Sequence, residues 1–261
     1  MMTQADLPRT EPDVVIGTTI CRHSAFALDK FLPNQQEIQK AYPGCKLILA
    51  TDEVDFTDGL NQDIQRYGLR AEVITYQTKK PDYARSRIWS ITCGKEALRR
   101  YTISEQVDYL LFLDADMVYE PSVVSILKRE VQGFNVVQSG YDVHGTWGFG
   151  GGCLMLGKET LSKITIRCYE FKNGDVLQED EVLDMDLFSC HAKVKKGIFL
   201  PIKHYHNSET YKAIKPRPVG WFRSMTNNLL VRYILMKTSI LVRHNIAGRL
   251  HTWRKRIYGQ G

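Results

Sequence analysis

The sequence predicts an α/β domain built on a doubly wound, mostly parallel sheet and followed by a basic helical appendage. Three observations predict it. Apolar runs of strand length alternate with stretches of helical period over the first 140 residues. One of those runs, Tyr109-Leu-Leu-Phe-Leu113, is apolar on both faces, as a strand buried between two helical layers must be. The charge is also divided: Glu209 is the last acid, and 11 of the 35 basic residues follow it. That leaves 24 basic residues against all 29 acids up to Glu209, so the body carries −5 and the tail supplies the excess behind the total of +6. At 261 residues with 43% of them apolar, the chain can bury one large core, and it has no repeat or low-complexity tract. Residues 1–11 read as an unstructured polar lead-in, 12–210 as the α/β domain and 211–261 as the appendage.

The elements follow in order. Residues 13–20 form a first strand, and 28–44 a helix that Pro43-Gly44 stops. Residues 45–53 form a second strand with acids at its end, 58–67 a polar helix and 70–76 a third strand. The stretch 84–101 has Ile88, Ile91, Ala97 and Leu98 at roughly helical period. The strand at 109–113, a short helix after Pro121 and a strand in 134–140 come next. Residues 153–157 continue the pattern as a strand, and 176–190 hold a helix with Val182, Leu183, Met185, Leu187 and Phe188. The six cysteines are scattered without a Cys-x-x-Cys pair, as expected of reduced, mostly buried thiols in a cytosolic protein. The polar, acidic start lacks the basic and apolar regions of a secretory signal, so the chain is expected in the cytoplasm.

Strands of such a fold deliver their last residues to one rim, where open α/β sheets bind ligands. Thr18, Thr19, Asp52, Asp114 and Asp116 all fall there. Asp114-Ala-Asp116 places two carboxylates one residue apart, able to approach a shared hard cation, Mn²⁺ or Mg²⁺, that water and substrate phosphates complete. The plainer alternative has Asp114 capping a turn and Asp116 in solvent. The position behind a doubly buried strand favours the ligand.

Three further segments carry chemistry. In 145–164, Gly150, Gly151 and Gly152 let backbone approach a ligand, and Trp147 and Phe149 offer flat surfaces that stack on sugar rings or bases; alternatively the segment is only a turn before a strand. In 176–190, Glu179, Asp180 and Glu181 occupy a first helical turn, either meeting the helix dipole or supplying a carboxylate that accepts a hydroxyl proton. In 199–209, His204 and His206 share one face of an extended segment. Either is a candidate metal ligand, although a lone histidine is more often simply satisfied by its neighbours.

With these features in order, residues 12–210 resemble the GT-A glycosyltransferases, closest in pattern to glycosyltransferase family 2. The resemblance implies a nucleotide-sugar donor gripped at Thr18, Thr19, Asp52, Arg85, Arg87 and Asp114. It implies a metal on the diphosphate held by Asp114, Asp116 and a histidine, His204 or His206, and an acceptor facing Trp147, Phe149, Gly151 and Gly152. The acceptor would be a glycan or a lipid-linked sugar. In inverting members the Glu-Asp pair, here Glu179-Asp180, deprotonates the acceptor hydroxyl, which makes Asp180 the expected base. Two departures keep stereochemistry open: the arginine that usually follows this pair is missing from "EVLDMDLF", and "HYHNSETYKAIKPRPVGW" resembles the ending of retaining, glycogenin-like transferases. A sugar-1-phosphate nucleotidyltransferase would need a glycine-rich basic loop after the first strand, which "GTTICRHSAF" does not supply. A non-catalytic peripheral membrane protein on the same fold is the remaining class.

That last class draws on the tail. Residues 226–244 are apolar but broken by Arg232 and Lys237, so they lack the uninterrupted run of about 18 residues that a membrane span needs. As a helix they would be basic and amphipathic, which makes an anionic membrane surface a candidate partner for 221–257, with docking on the domain as the alternative. The tail has charge but none of the motifs that read nucleic acid, which argues against such a partner.

Overall fold

A computed structural model describes residues 12–139, 151–171, 174–198, 200–205, 207 and 211–214. Trp147, Phe149 and His206 lie outside the described residues, as do the lead-in at 1–11 and the tail from 215 onward. Among the described residues no helix is long and apolar enough to cross a membrane.

The first half winds as the alternation predicts: β1 (Val14–Thr19), α1 (Leu28–Ala41), β2 (Cys45–Thr51), α2 (Thr57–Arg66), β3 (Ala71–Thr75), α3 (Ile88–Ser104) and β4 (Tyr109–Leu113). A short strand β5 (Met117–Tyr119), α4 (Val123–Glu130), β6 (Val136–Ser139), β7 (Cys153–Gly157) and α5 (Lys158–Lys163) follow. The ribbon β8 (Tyr169–Glu170) and β9 (Val176–Leu177), then α6 (Glu179–Ser189), β10 (Val194–Ile198), β11 (Ile202–Tyr205) and β12 (Tyr211–Ile214) complete it.

The main sheet has the order β10-β6-β7-β4-β1-β2-β3, in which β7 alone runs against its neighbours. The chain moves outward from β1 to β3, then returns to place β4 on the other side of β1. The crevice of this doubly wound sheet therefore opens between β1 and β4. Alternate strand residues feed two cores. Ile16, Leu47, Leu49 and Leu111 join Phe31 and Leu32 of α1, Leu60 of α2 and Leu127 of α4 on one face. Val15, Ile48, Leu110 and Phe112 join Leu98 of α3, Leu161 of α5 and Leu183 of α6 on the other. Strands buried on both faces lose the period-2 alternation, which is why β4 reads as an unbroken apolar run.

A second, antiparallel sheet, β12-β11-β5, sits beside the rim. Its short strand β5 comes straight after Asp116 and pairs with β11, with His204 opposite Met117. Asn34 of α1 holds β5 from the other side, donating to the Tyr119 carbonyl at 2.8 Å and accepting its amide at 2.9 Å. All six cysteines are free thiols, with Cys45, Cys153 and Cys168 buried.

Candidate active site

The rim at the end of β1 and β4 gathers what the sequence spreads over 190 residues. Asp114 leaves β4 and turns at once: its amide donates to the Gly152 carbonyl at 3.2 Å and to the Tyr119 hydroxyl at 2.9 Å, while that hydroxyl donates to Gly152 at 2.6 Å. The start of β7 is thereby fixed against the Asp114 turn. Gly151, one residue earlier, donates its amide to Asp180 Oδ2 at 2.9 Å. One continuous hydrogen-bonded path thus joins Asp114, Gly152, Gly151 and Asp180.

Lys95 of α3 stands beneath this path. It is buried, and its Nζ donates to Glu179 Oε1 at 2.7 Å, lies 3.6 Å from Asp180 Oδ1 and sits 5.8 Å from the centre of the Phe112 ring. Burial by itself would lower the pKa of this ammonium. Asp180, Glu179 and Asp114 outweigh that effect and hold it charged, above its ordinary range. The acids respond to the same crowding. Burial pushes Asp114 up to about 7, opposed by Lys95 and reinforced by Asp116, Asp180 and Glu179. Asp180 is pushed up to about 6, again by burial first, with Lys95 opposing, Glu179 adding and the Gly151 amide opposing. Three carboxylates around one lysine make a site short of positive charge.

The metal ligands proposed from sequence partly converge. Asp116 Oδ2 and His204 Nε2 stand 3.2 Å apart, and the Tyr205 amide donates to the Asp116 carbonyl at 2.7 Å, which fixes the two strands in register. An anionic oxygen beside an imidazole nitrogen suits Mn²⁺ or Mg²⁺. Among the described residues no three His, Cys, Asp or Glu side chains form a complete site, so water or substrate oxygens would have to fill the shell.

A cleft of about 420 Å³ opens further along the rim, lined by Asp52, Thr78, Lys80, Arg85, Ser86, Arg87, Trp89 and Ser90. Asp52 accepts from Thr78 Oγ1 at 2.5 Å and from Ser90 Oγ at 2.8 Å, both at Oδ2. Arg85 and Arg87 are exposed on its wall. The segment 84–87 does not join α3, as the helical period suggests, because Glu170 captures it. That carboxylate accepts from the amides of Arg85 at 2.7 Å and Ser86 at 3.0 Å, and from Trp89 Nε1 at 3.1 Å. These bonds, the Arg85 amide foremost, hold the Glu170 pKa below its ordinary value.

Thr18 is fully buried and its hydroxyl donates to the Leu113 carbonyl at 2.8 Å, so it ties β1 to the end of β4. Thr19 stays half-buried on the rim with its methyl against Gly94. Glu179 is 5% exposed, and its Oε1 accepts from Lys95. Gly151 and Gly152 are buried and bond through their backbone to Asp180 and Asp114.

Lys95, Glu170 and Tyr119 are the residues that sequence reasoning missed. Lys95 had a signal: Ile88, Ile91, Lys95, Leu98 and Thr102 fall on one stripe of α3, and a charge on an apolar stripe needs a buried partner. Glu170 had none, because its partners lie more than 80 residues away.

No protein-family model matches the chain, and no curated protein matches it. Solved structures do. The mannosyltransferase PcManGT from Pyrobaculum calidifontis, in complex with GDP-Man and Mn²⁺, aligns with a TM-score of 0.53 at 10% identity, over 90% of this chain and 66% of that one. TarS from S. aureus in complex with UDP aligns at 0.50 and 10% identity, over 76% of this chain and 59% of its own. The chain therefore spans about two thirds of the mannosyltransferase's length and 59% of the TarS chain. At such identity the likeness is one of architecture: the chain has the GT-A fold, with its sheet crevice, Asp114-Ala-Asp116 turn and flanking cleft in one rim.

Proposed function

We propose that the protein is a metal-dependent glycosyltransferase that moves a sugar from a nucleotide-diphosphate-sugar donor to a hydroxyl of a glycan or lipid-linked acceptor, with inversion. The observation that carries this reading is the meeting of Asp116 with His204 and of Asp114 with Gly152 and Asp180, on one rim with a cationic, tryptophan-walled cleft. The nucleotide sugar GDP-Man and the nucleotide UDP, bound in the two solved structures of like fold, support it.

Each residue then has a task. Trp89 offers the cleft a flat face for a base, and Lys80, Arg85 and Arg87 offer charge to a diphosphate. Both described bonds to Asp52 fall on Oδ2, which leaves Oδ1 to accept from the nucleoside. Asp116 and His204 would hold Mn²⁺ or Mg²⁺, which when bound neutralises the departing diphosphate. Asp180 takes the acceptor's hydroxyl proton as that oxygen bonds to the anomeric carbon. The bond from the anomeric carbon to the diphosphate oxygen breaks, and its electron pair leaves with the nucleoside diphosphate.

Thermal unfolding tests the reading, with Mn²⁺ and each of UDP, GDP, CMP and dTDP. A ligand bound only by the folded state raises the midpoint. One nucleotide is expected to do so, only with Mn²⁺ and not in Asp116→Ala. No shift with any nucleotide, or an undiminished shift in Asp116→Ala, overturns the reading.

A further inference from the structure

We propose that Lys95 is a positioning residue for Asp180, and that Glu179 serves to hold Lys95 at the distance where it can act. This rests on the reading of Asp180 as the acceptor's base and adds to it a device that sets the base from behind.

The geometry separates two tasks that one cation usually combines. Lys95 gives its hydrogen bond to Glu179, at 2.7 Å, and stands 3.6 Å from Asp180 Oδ1. At 3.6 Å an ammonium in a buried setting still stabilises a carboxylate by its field, but it makes no hydrogen bond that would occupy a lone pair. Oδ1 is buried, and among the described residues no group stands within hydrogen-bond distance of it. The Asp180 side chain keeps 23% of its surface exposed, so its open part lies away from the ammonium. One of the ammonium's three N–H donors goes to Glu179, and that bond anchors Nζ beside the Asp180 carboxylate, 3.6 Å from Oδ1.

Three features confine the ammonium to this place. The Phe112 ring lies 5.8 Å from Nζ, within reach of a cation–π attraction. Glu179 is itself buried, so the pair cannot relax into water. Gly151 leaves a gap: a Cβ there would come 2.5 Å from Lys95 Nζ and 2.4 Å from Asp180 Oδ1, so both groups meet where a side chain would otherwise stand. Lys95 is not among the residues that line the cleft proposed for the donor, which sets its task apart from donor binding.

Removing Lys95 alone strands two buried acids and can unfold the chain. The informative background is therefore Glu179→Gln, in which Lys95→Met takes the ammonium from Asp180, and from Asp114 beyond it, without stranding Glu179. The inference predicts a reversal of sign. Asp180→Asn lowers the thermal midpoint of Glu179→Gln, because it takes away the carboxylate that Lys95 faces. The same substitution raises the midpoint of Lys95→Met/Glu179→Gln, because there it removes an uncompensated buried charge. Equal shifts in the two backgrounds mean that the residues are uncoupled, and the inference fails.

Turnover supplies the second readout, as nucleotide release from UDP-glucose and GDP-mannose with Mn²⁺. Lys95→Met/Glu179→Gln is expected to lose at least about tenfold in kcat, with donor KM within about twofold of the parent. A double variant that melts like the parent and keeps its kcat overturns the inference while leaving the transferase reading intact. A parent that binds no nucleotide overturns the transferase reading, and the sign reversal then still decides whether Lys95 sets Asp180.

Discussion

Gly151 and Asp180 concentrate the consequences of single side chains. An alanine at 151 would overlap both the carboxylate of Asp180 and the ammonium of Lys95, neither of which can retreat into solvent. Gly151→Ala is expected to cost about 1–3 kcal/mol, the usual range for forced overpacking, read as a lower urea midpoint, together with most of the turnover. Asp180 makes stability and rate diverge with pH. An acid whose pKa is higher folded than unfolded favours folding below its unfolded value, and that contribution is lost as pH rises through the folded value. For Asp180 the window runs from its ordinary 3.8 to about 6. Metal-free protein is therefore expected to be about 1 kcal/mol more stable at pH 5 than at pH 8 through this group, a difference that Asp180→Asn removes. Turnover moves the other way and rises through about pH 6, because the base must be ionised. Melting curves in chelator and a pH–rate profile check the two halves. The rim positions of Asp114, Asp116 and Asp180 were legible in the sequence because each sits at a strand end or a helix start. The bond that Thr18 makes was not, because its carbonyl lies 95 residues away.

The two small pieces beside the main sheet decide how the rim is held. The β8–β9 ribbon supplies Glu170, whose carboxylate replaces a first helical turn for 84–87 and fixes Trp89 at the cleft wall. Glu170→Ala is expected to leave the main sheet folded but to weaken nucleotide binding, measured by calorimetry with the nucleotide that raises the midpoint. Unchanged binding would mean that the arch at 84–89 keeps its shape without that carboxylate. The long strands and helices were readable because burial imposes a period on many residues at once. Strands β5, β8 and β9 span two or three residues each, too few to show any period, and exist because distant partners complete them. The start of α3 was misplaced for the same reason, since propensity at 84–87 yields to a tertiary carboxylate.

Two cores, one on each face of the sheet, make the domain, and its charged work is confined to the rim between them. The first half of the chain supplies the cleft lined by Asp52, Arg85 and Trp89. The second supplies Asp180 through α6, and His204 through a strand that crosses back to β5. A chain ending at Leu200 is expected to keep the main sheet, seen as cooperative melting and an unchanged circular dichroism spectrum. It should lose the Mn²⁺-dependent nucleotide shift, because it lacks His204 and the strand that pins Asp116. The doubly wound architecture was legible from the alternation of elements. The antiparallel turn of β7 was not, since strand direction is set by the pairing with β4 and β6 and not by local pattern. The packing of Lys95 against Gly151, Glu179 and Asp180 also bears on descent. In related chains, positions 95, 151 and 179 are expected to vary as one inherited unit. A lineage that replaces the lysine must also discharge position 179, and only after both changes does position 151 become free to acquire a side chain.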